Sequence, residues 1–503
     1  MGLNHDPGGR ADQGQGMPES ITPDICVIGA GAGGLQVAVQ AAAFGVRAVL
    51  VDPHAGPSGG QPGRMGADAV RAGRLPLSAL IAAARRAHAA AQSAAFGVQV
   101  KSIRVDFGGV RDHVQGVIRA RAPNLARERL AGLGVRVIEG AARFRDPRTL
   151  TVAGDIEIAA RRFVIATGSS PALPPIAGLE EAPHLTTETA VELAVCPEHL
   201  IIIGAGSIGL EFAQAFRRLG AQVTVLDAAE PLGQEDPECA AVVLDQFVRE
   251  GIRVCSGTIV RVAAAAAQVQ VQLQVRLTGA NSEEIIEGSH LLVASGRWPN
   301  VVGLGLDAAG IKYDEHGITV DKGLKTTNRR VYAIGDVAGG LELPHAADHQ
   351  AGLVVRNALF RLPVSFDPEA IPRVTFTDPE LARGGLTEAV ARRRGYRIRV
   401  LRWPYRENDR AHAEGEARGH IKVVINRRGR ILGVSIVGAG AGELIAPWTL
   451  AMSRGADIRA MAGIVVPYPT LSEIGKWAAT TYFMSSLTSS WVRRIIALLR
   501  RFG

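Results

Sequence analysis

The sequence predicts an α/β protein with two Rossmann-like units and a third, α+β domain, and three observations support this. An apolar strand, a Gly-rich turn and an Ala-rich helix occupy residues 24–45, and the same order returns over residues 200–220. In each copy a second short strand ends on an acidic residue, Asp52 or Asp227. Beyond Phe366, separated strands alternate with helices, which is typical of an α+β arrangement.

Length and composition favour a multidomain globular protein. A chain of 503 residues is too long for one core, and 47% hydrophobic and 21% charged residues are ordinary values. The net charge of +8 comes from arginines scattered along the chain, so we predict no nucleic-acid partner. Residues 1–20 lack the apolar core of a signal peptide, and we expect a disordered leader there.

The first Gly-rich turn, Gly29-Ala-Gly31-Ala-Gly-Gly34, lies between a predicted strand and a predicted helix. In this setting Gly29 permits the tight turn, Gly31 lets the backbone approach a pyrophosphate, and Gly34 lets the helix pack on the strand. The helix N-terminus then faces the anion. Asp52 follows Gly34 by 18 residues and is placed to accept a hydrogen bond from a ribose hydroxyl. The turn therefore predicts a dinucleotide site.

The second turn, Gly204-Ala-Gly206-Ser-Ile-Gly209, repeats this pattern, and Asp227 again follows the last glycine by 18 residues. An acid at this position binds a free 2′-hydroxyl and repels a 2′-phosphate, which favours NAD(H) over NADP(H). Arg217 and Arg218 on the preceding helix leave NADP(H) open.

Further motifs occur outside the two turns: Ala166-Thr167-Gly168, Gly296-Arg-Trp-Pro-Asn300, residues 327–336 ending on Asp336, and Tyr468-Pro-Thr-Leu-Ser-Glu473. With them, the chain over about residues 21–483 resembles the FAD-dependent pyridine nucleotide-disulfide oxidoreductases, nearest the dihydrolipoamide dehydrogenase and mercuric reductase branch. The resemblance implies FAD in the first unit, a nicotinamide nucleotide in the second, and a homodimer formed by the C-terminal domain.

The resemblance also implies site residues and domain limits. The implied FAD residues are Gly29, Gly31, Gly34, Asp52, Gly60, Ala166, Thr167, Gly168, Asp336 on the ribityl chain, and His345, which with His349 begins the next helix. The implied NAD residues are Gly204, Gly206, Gly209, Glu211, Asp227 and Gly296. The implied segments are a leader (1–20), an FAD domain (21–185 and 290–365), an inserted NAD(P) domain (186–289), a dimerisation domain (366–485) and a basic tail (486–503).

The chain departs from the family at the redox thiols. The family carries two cysteines four residues apart, between a Gly-Gly pair and a Pro-Ser-Lys that starts a helix. Here residues 59–78 contain no cysteine, and Ser78 stands where the lysine is usual. Cys26 lies inside the first predicted strand, where a thiol usually acts as a small hydrophobe. The cysteine spacing matches neither a CxxC motif nor a zinc site, so we predict no metal and a reducing, cytoplasmic location.

Three residues are candidates for catalysis. Tyr468 stands at the position of the family's catalytic histidine, and Glu473 stands at that of its orienting acid. A tyrosine there resembles mercuric reductases, yet the sequence ends without the cysteine pair that those enzymes carry. Glu211 resembles the family acid near nicotinamide and flavin, or else it is a solvent-facing helix glutamate.

The segment that stands where the family has its two cysteines contains Arg64, Asp68, Arg71 and Arg74. These side chains either face the flavin and bind an anionic acceptor, or they form a solvated charged loop. Without a thiol relay, we expect an enzyme that takes hydride from NAD(P)H and passes electrons from flavin directly to a quinone, dioxygen or a redox partner. The alternatives are a disulfide or metal reductase that uses external thiols, and a non-catalytic flavin-bound scaffold.

The C-terminal tail has the pattern of a basic amphipathic helix. Trp491, Ile495, Leu498, Leu499 and Phe502 share one helical face, with paired arginines elsewhere. Such a helix either lies peripherally on an anionic inner-membrane surface or packs on the dimer partner. No apolar run reaches the roughly 18 residues of a membrane span.

Overall fold

The computed structural model describes residues 19–53, 74–265, 268–277, 280–484 and 490–501. The predictions for Gly60, Arg64, Asp68, Arg71 and Phe502 therefore lie outside the described residues, as do those for residues 1–18. The predicted limit of the leader is wrong by two residues. Glu19 and Ser20 belong to the strand Glu19–Ile21, which pairs in parallel with Ile156–Ile158 because its backbone groups continue that sheet.

The N-terminal unit is built on a five-stranded parallel sheet. Its strands, from edge to edge, are Val331–Ala333, Arg162–Ile165, Ile25–Ile28, Ala48–Asp52 and Val135–Glu139. The central strand is buried at every position, so it is apolar throughout instead of alternating. The helices Ala32–Ala43 and Pro344–Phe360 share one apolar cluster with this sheet. The first and last strands of the sheet are thus far apart in the chain, as expected for a domain made from two segments.

A second parallel sheet lies in the middle of the chain. Its strands, in order, are Leu185–Thr186, His290–Val293, His199–Ile203, Gln222–Asp227 and Arg253–Ser256. The helices Ser207–Arg218 and Pro237–Arg249 connect the last three of these strands in turn. An antiparallel sheet that the sequence did not predict follows, with strands Thr258–Ala265, Gln268–Leu277 and Ala280–Gly288.

Two long helices lie in the chain between the strands Ala48–Asp52 and Val135–Glu139 of the first sheet and pack against the second unit. The Ala- and Arg-rich composition of residues 77–94 and 123–133 predicts two helices. The first corresponds to Arg74–Gln92, whereas Phe107–Arg121 was not predicted. Its three glycines disfavour a helix, and it buries only Val114 and Ile118. Both helices contribute to the apolar cluster of the second unit. The segment predicted as a helix over residues 123–133 is a short 3-10 turn followed by Arg127–Gly132.

The C-terminal domain is an antiparallel sheet covered by short helices. Its strands, in order, are Arg373–Thr375, Glu380–Gly385, Ile431–Gly438, His420–Asn426 and Ile398–Pro404. Its helices are Glu388–Arg393, Asp409–Ala413, Ala441–Leu444, Ala446–Ser453, Ile458–Gly463 and Glu473–Thr480. This confirms the predicted α+β class, while the exact domain limits stay predictions.

Smaller elements complete the fold. A four-stranded sheet consists of Glu19–Ile21, Ile156–Ile158, Thr149–Val152 and Ala142–Asp146. Two strand pairs are Ser169–Pro171 with Arg297–Pro299, and Tyr313–Asp314 with Gly317–Ile318. The last described helix is Ser490–Leu499. Among the described helices, none has both the length and the apolar character needed to cross a membrane.

Candidate functional site

A cavity of about 470 Å³ opens at the carboxyl ends of the first parallel sheet. Every strand of that sheet contributes the residues that follow it, and the lining segments are 28–33, 51–53, 140–142, 166–169 and 334–336. In open α/β sheets this edge is where nucleotides bind. The far wall comes from Arg74, Leu77, Ile208 and Phe212, so helices of both parallel-sheet units close the cavity.

The first Gly-rich turn has the geometry that a dinucleotide requires. Gly29 has φ of 101°, and a Cβ on it would lie 2.4 Å from the Ala166 carbonyl oxygen. A Cβ on Gly34 would lie 2.0 Å from the Gly29 carbonyl oxygen. A Cβ on Gly31 would meet its nearest neighbour only at 3.8 Å, so there the backbone faces open space. The turn thus presents bare backbone and the N-terminus of Ala32–Ala43 to the cavity, which fits a pyrophosphate.

Two acids frame the cavity. Asp52 is buried, and its Oδ2 accepts a hydrogen bond from the Ala30 amide at 2.9 Å, which fixes the turn. Asp336 accepts a hydrogen bond from Ser169 Oγ at 2.6 Å, and Ser169 Oγ in turn accepts one from Arg297 Nε at 2.7 Å. Arg297 also pairs with Glu188 at 2.9 Å. This network orients Asp336 at the cavity wall, and sequence spacing did not reveal it.

Two of the remaining motifs are joined by hydrogen bonds at the same edge of the sheet. Thr167 donates through Oγ1 to the Asn300 carbonyl at 2.8 Å, and Asn300 donates back to the Thr167 carbonyl at 3.0 Å. The Ala166-Thr167-Gly168 and Gly296-to-Asn300 motifs therefore form one structural unit. Gly296, with φ of 142°, accepts at its carbonyl from the Ala172 amide at 3.0 Å.

The second Gly-rich turn repeats the geometry of the first. Gly204 has φ of 115°, and a Cβ on it would lie 2.4 Å from the Ala294 carbonyl oxygen. A Cβ on Gly209 would lie 1.9 Å from the Gly204 carbonyl oxygen, whereas one on Gly206 would have no neighbour within 4 Å. Asp227 accepts from the Ala205 amide at 2.6 Å, as Asp52 does from Ala30. The second turn therefore fits a second nucleotide by the same criteria.

Glu211 is buried, and the solvent-facing interpretation of it is wrong. The residue is 1% exposed, and its Oε1 lies 3.0 Å from Nη1 of Arg74 and accepts from the Phe376 amide at 3.0 Å. Burial raises the pKa of the Glu211 carboxyl, and the neighbouring Arg74 guanidinium opposes that rise. Because Arg74 lines the cavity, the solvated-loop interpretation is also wrong for this arginine. The structure thus places the Arg74 guanidinium, paired with the Glu211 carboxylate, at the wall of the predicted flavin cavity.

Tyr468 and Glu473 do not form the expected pair. Tyr468 is 72% exposed, lies outside the cavity lining, and donates from its hydroxyl to Asp409 Oδ2 at 2.8 Å. This hydrogen bond raises the pKa of the Tyr468 hydroxyl. Glu473 instead accepts from the Thr470 amide at 3.3 Å, at the start of its helix. The acid that orients Tyr468 is therefore Asp409, 59 residues away, where no local spacing could indicate it.

The two histidines are also placed away from the cavity lining. His345 donates from Nε2 to the Pro372 carbonyl at 2.8 Å, so its ring is turned towards the C-terminal domain. The His349 ring lies 6.3 Å from the Phe366 ring. Pro344 and Ala347 of the same helix do line the cavity. The helix is therefore near the predicted flavin, but these two side chains point elsewhere.

All four cysteines of the chain lie in the described part, and each is a free thiol outside the cavity lining. Cys26 is buried in the strand Ile25–Ile28, and burial strongly raises the pKa of its thiol. Burial also raises the thiol pKa of Cys239, whose Sγ lies 3.6 Å from His420 Nε2, and that of Cys196. High pKa values keep these sulfurs protonated and unreactive.

Comparison with known proteins identifies the family of this chain. Residues 23–351 match the family described as pyridine nucleotide-disulphide oxidoreductase, and residues 371–479 match its dimerisation domain. The mercuric reductase of Streptomyces lividans is 35% identical, over 91% of this chain and 96% of that protein. The dihydrolipoyl dehydrogenase of Thermus scotoductus is 36% identical, over 90% of this chain and 95% of that protein.

Among solved structures, the HOCl-induced flavoprotein disulfide reductase RclA from Escherichia coli is similar, with 27% identity and a TM-score of 0.78. The similarity covers 91% of this chain and 99% of RclA. The agreement extends over both nucleotide units and the C-terminal domain. The chain therefore belongs to the pyridine nucleotide-disulphide oxidoreductase family, as an FAD-dependent NAD(P)H oxidoreductase that carries the family's dimerisation domain.

Proposed function

We propose that this enzyme oxidises NADH and passes the electrons from FAD directly to an acceptor that is not a disulfide, such as a quinone, dioxygen or a redox protein. The observation that carries the proposal is the wall of the cavity, where Arg74 is held by Glu211 and no cysteine is present. Arg74 lies just before Pro76, in the segment where the family resemblance places the thiol pair.

An arginine cannot replace a thiol pair chemically. Its guanidinium stays protonated and has no nucleophilic lone pair, so it can neither form a mixed disulfide nor bind a soft metal ion. Bound FAD supplies the chemistry of accepting hydride from the nicotinamide and donating electrons onwards. The residues of the chain hold the two nucleotides, close the cavity and place a fixed charge at its wall. An acceptor must then approach the flavin itself, because the described residues offer no relay group.

The surroundings of Asp227 support a preference for NADH over NADPH. Arg217 donates to the Glu250 carbonyl at 2.6 Å, and Arg218 pairs with Glu250 and Asp378, both at 2.7 Å. Both arginines therefore serve other partners instead of a 2′-phosphate. Asp227 ends its strand with a carboxylate that would repel such a phosphate.

We propose that Tyr468, if it acts in catalysis, acts at the cavity of the partner subunit and not at that of its own chain. Its side chain is exposed on the dimerisation domain and does not line the cavity of its own chain. In a homodimer the same surface is available to the partner subunit. Asp409 then serves as the positioning residue that fixes the Tyr468 hydroxyl.

Anaerobic stopped-flow absorbance of the flavin-loaded protein tests the proposal. We expect NADH to bleach the flavin faster than NADPH does, a quinone or dioxygen to restore the absorbance, and lipoamide to have no effect. A variant with all four cysteines replaced by alanine serves as the control and should keep this behaviour. Bleaching followed by cysteine-dependent lipoamide turnover would favour a disulfide reductase, and protein that NADH does not bleach would identify a flavin-bound scaffold.

A further inference from the structure

The helix Ser490–Leu499, here called the tail helix, has two chemically different sides. Trp491, Ile496, Leu498 and Leu499 are large apolar residues, each more than half exposed. With 100° between successive residues, they fall with Val492 and Ile495 on one arc of about 160°. Arg493 and Arg494 project from the opposite arc, and both are exposed. An apolar face of this size normally has a partner.

The charge around the tail helix indicates the chemistry of that partner. From residue 474 onwards the chain carries five cations and no acidic residue; the cations are Lys476, Arg493, Arg494, Arg500 and Arg501. An apolar face bordered by arginines matches a surface with anionic groups above an apolar interior. A bilayer that contains anionic phospholipid has this composition.

The tail helix is separate from the region that forms the family's dimer. The match to the dimerisation domain ends at residue 479, and the helix begins eleven residues later. Ten residues give about 15 Å of helix, half of the roughly 30 Å needed to cross the hydrocarbon core. The helix can therefore lie in the plane of the interface but cannot span it.

We infer that the tail helix is an in-plane anchor that binds the enzyme to membranes rich in anionic phospholipid. A single short helix binds weakly, but a homodimer carries two copies, and attachment of one raises the local concentration of the other. The binding does not depend on which acceptor the flavin reduces. Once bound, the enzyme would meet acceptors dissolved in the bilayer.

Co-sedimentation of the flavin-loaded dimer with vesicles tests this inference. We expect binding to vesicles of phosphatidylcholine mixed with phosphatidylglycerol, and little binding to phosphatidylcholine alone. Each arginine at an anionic surface contributes roughly five-fold, so Arg493→Gln with Arg494→Gln should weaken binding about 25-fold. Added salt should weaken the wild type similarly by screening. Leu498→Glu should abolish binding because it places a charge in the apolar face.

Val248→Glu is the matched control, since Val248 is an exposed apolar residue on the distant helix Pro237–Arg249. It should bind vesicles like the wild type. Flavin content, bleaching by NADH and dimer mass should be unchanged in all variants, which separates this test from that of the proposed function. Equal vesicle binding by the wild type and Leu498→Glu would overturn the inference. A loss of dimer mass in Leu498→Glu would also overturn it, because the face would then pack on a second copy.

Discussion

Replacing Glu211 with glutamine should raise the reduction potential of the bound flavin. In the wild type, the Glu211 carboxylate neutralises Arg74 at 3.0 Å and accepts from the Phe376 amide. Glutamine keeps an oxygen for the Phe376 amide but removes the negative charge. Arg74, with its side chain 23% exposed, then presents an uncompensated positive charge at the cavity wall. A positive charge stabilises a cofactor that has gained electrons.

The size of the shift follows from simple electrostatics. At an effective dielectric of about 20, two unit charges interact with about 4 kcal/mol at about 4 Å, and this energy falls inversely with distance, so for a charge at the cavity wall we take about half of it, about 2 kcal/mol. For a two-electron couple that corresponds to about 40 mV. The variant should also be less stable, by about 2 kcal/mol, because breaking a buried pair leaves one charge without its partner. Partial exposure of Arg74 keeps this cost below the roughly 3–5 kcal/mol of a fully buried pair.

The assay is spectroelectrochemical titration of the flavin in matched variants. Glu211→Gln should raise the potential, whereas Arg74→Gln should not, because it removes the cation. Glu250→Gln is the control, since it breaks another buried Arg–Glu pair, with Arg218, outside the cavity lining. It should lower stability and leave the potential unchanged. Potentials that move equally in Glu211→Gln and Glu250→Gln would refute the reasoning.

Three further outcomes follow from the described contacts. Gly209→Ala should weaken NADH binding roughly 10- to 100-fold, because the new Cβ would lie 1.9 Å from the Gly204 carbonyl oxygen. Bound FAD should be retained. The KM for NADH and the flavin content of the purified variant check these two outcomes. Asp227→Asn should reduce the kcat/KM preference for NADH over NADPH about ten-fold, the equivalent of about 1.4 kcal/mol. Hydrogen bonding to Arg402 lowers the pKa of Glu238 to about 2, so this carboxylate stabilises the fold above about pH 4.5 and loses that effect as the pH falls towards 2. Glu238→Gln should therefore lower stability at pH 7 by about 1 kcal/mol after allowance for solvent screening, and the difference from wild type should vanish in acid-unfolding curves near pH 2.

The sequence predicted the parts of the site whose geometry is set locally. In each Gly-rich turn the last glycine is required by a neighbour within five residues, because a Cβ on Gly34 or Gly209 would meet the carbonyl of Gly29 or Gly204. The acids at the strand ends follow from the length of one helix and one strand. Both features follow from spacing along the chain, so the sequence alone predicts them.

The contacts that the sequence did not predict join residues far apart in the chain. Arg74 and Glu211 are separated by 137 residues, and Tyr468 and Asp409 by 59. Glu211 also illustrates why a helical pattern can mislead. The helix Ser207–Arg218 is buried from Gly209 to Phe216, since other helices and the C-terminal domain cover it on several sides. It therefore has no solvent-facing side at Glu211, although its sequence reads as amphipathic.

The same buried carboxylate joins three separate parts of the chain. Arg74 begins the helix Arg74–Gln92, Glu211 lies in the helix Ser207–Arg218, and the Phe376 amide belongs to the C-terminal domain, and all three meet at the Glu211 carboxylate. A buried charge must keep its partners, so displacing any one of these segments carries an energetic cost. The ion pair and the backbone hydrogen bond thus add to the apolar packing that holds these segments against one another. Under the proposed function, hydride transfer between two bound nucleotides needs these segments aligned but no sulfur, so a cavity wall without thiols would change which acceptors react and would leave the first half of the reaction intact.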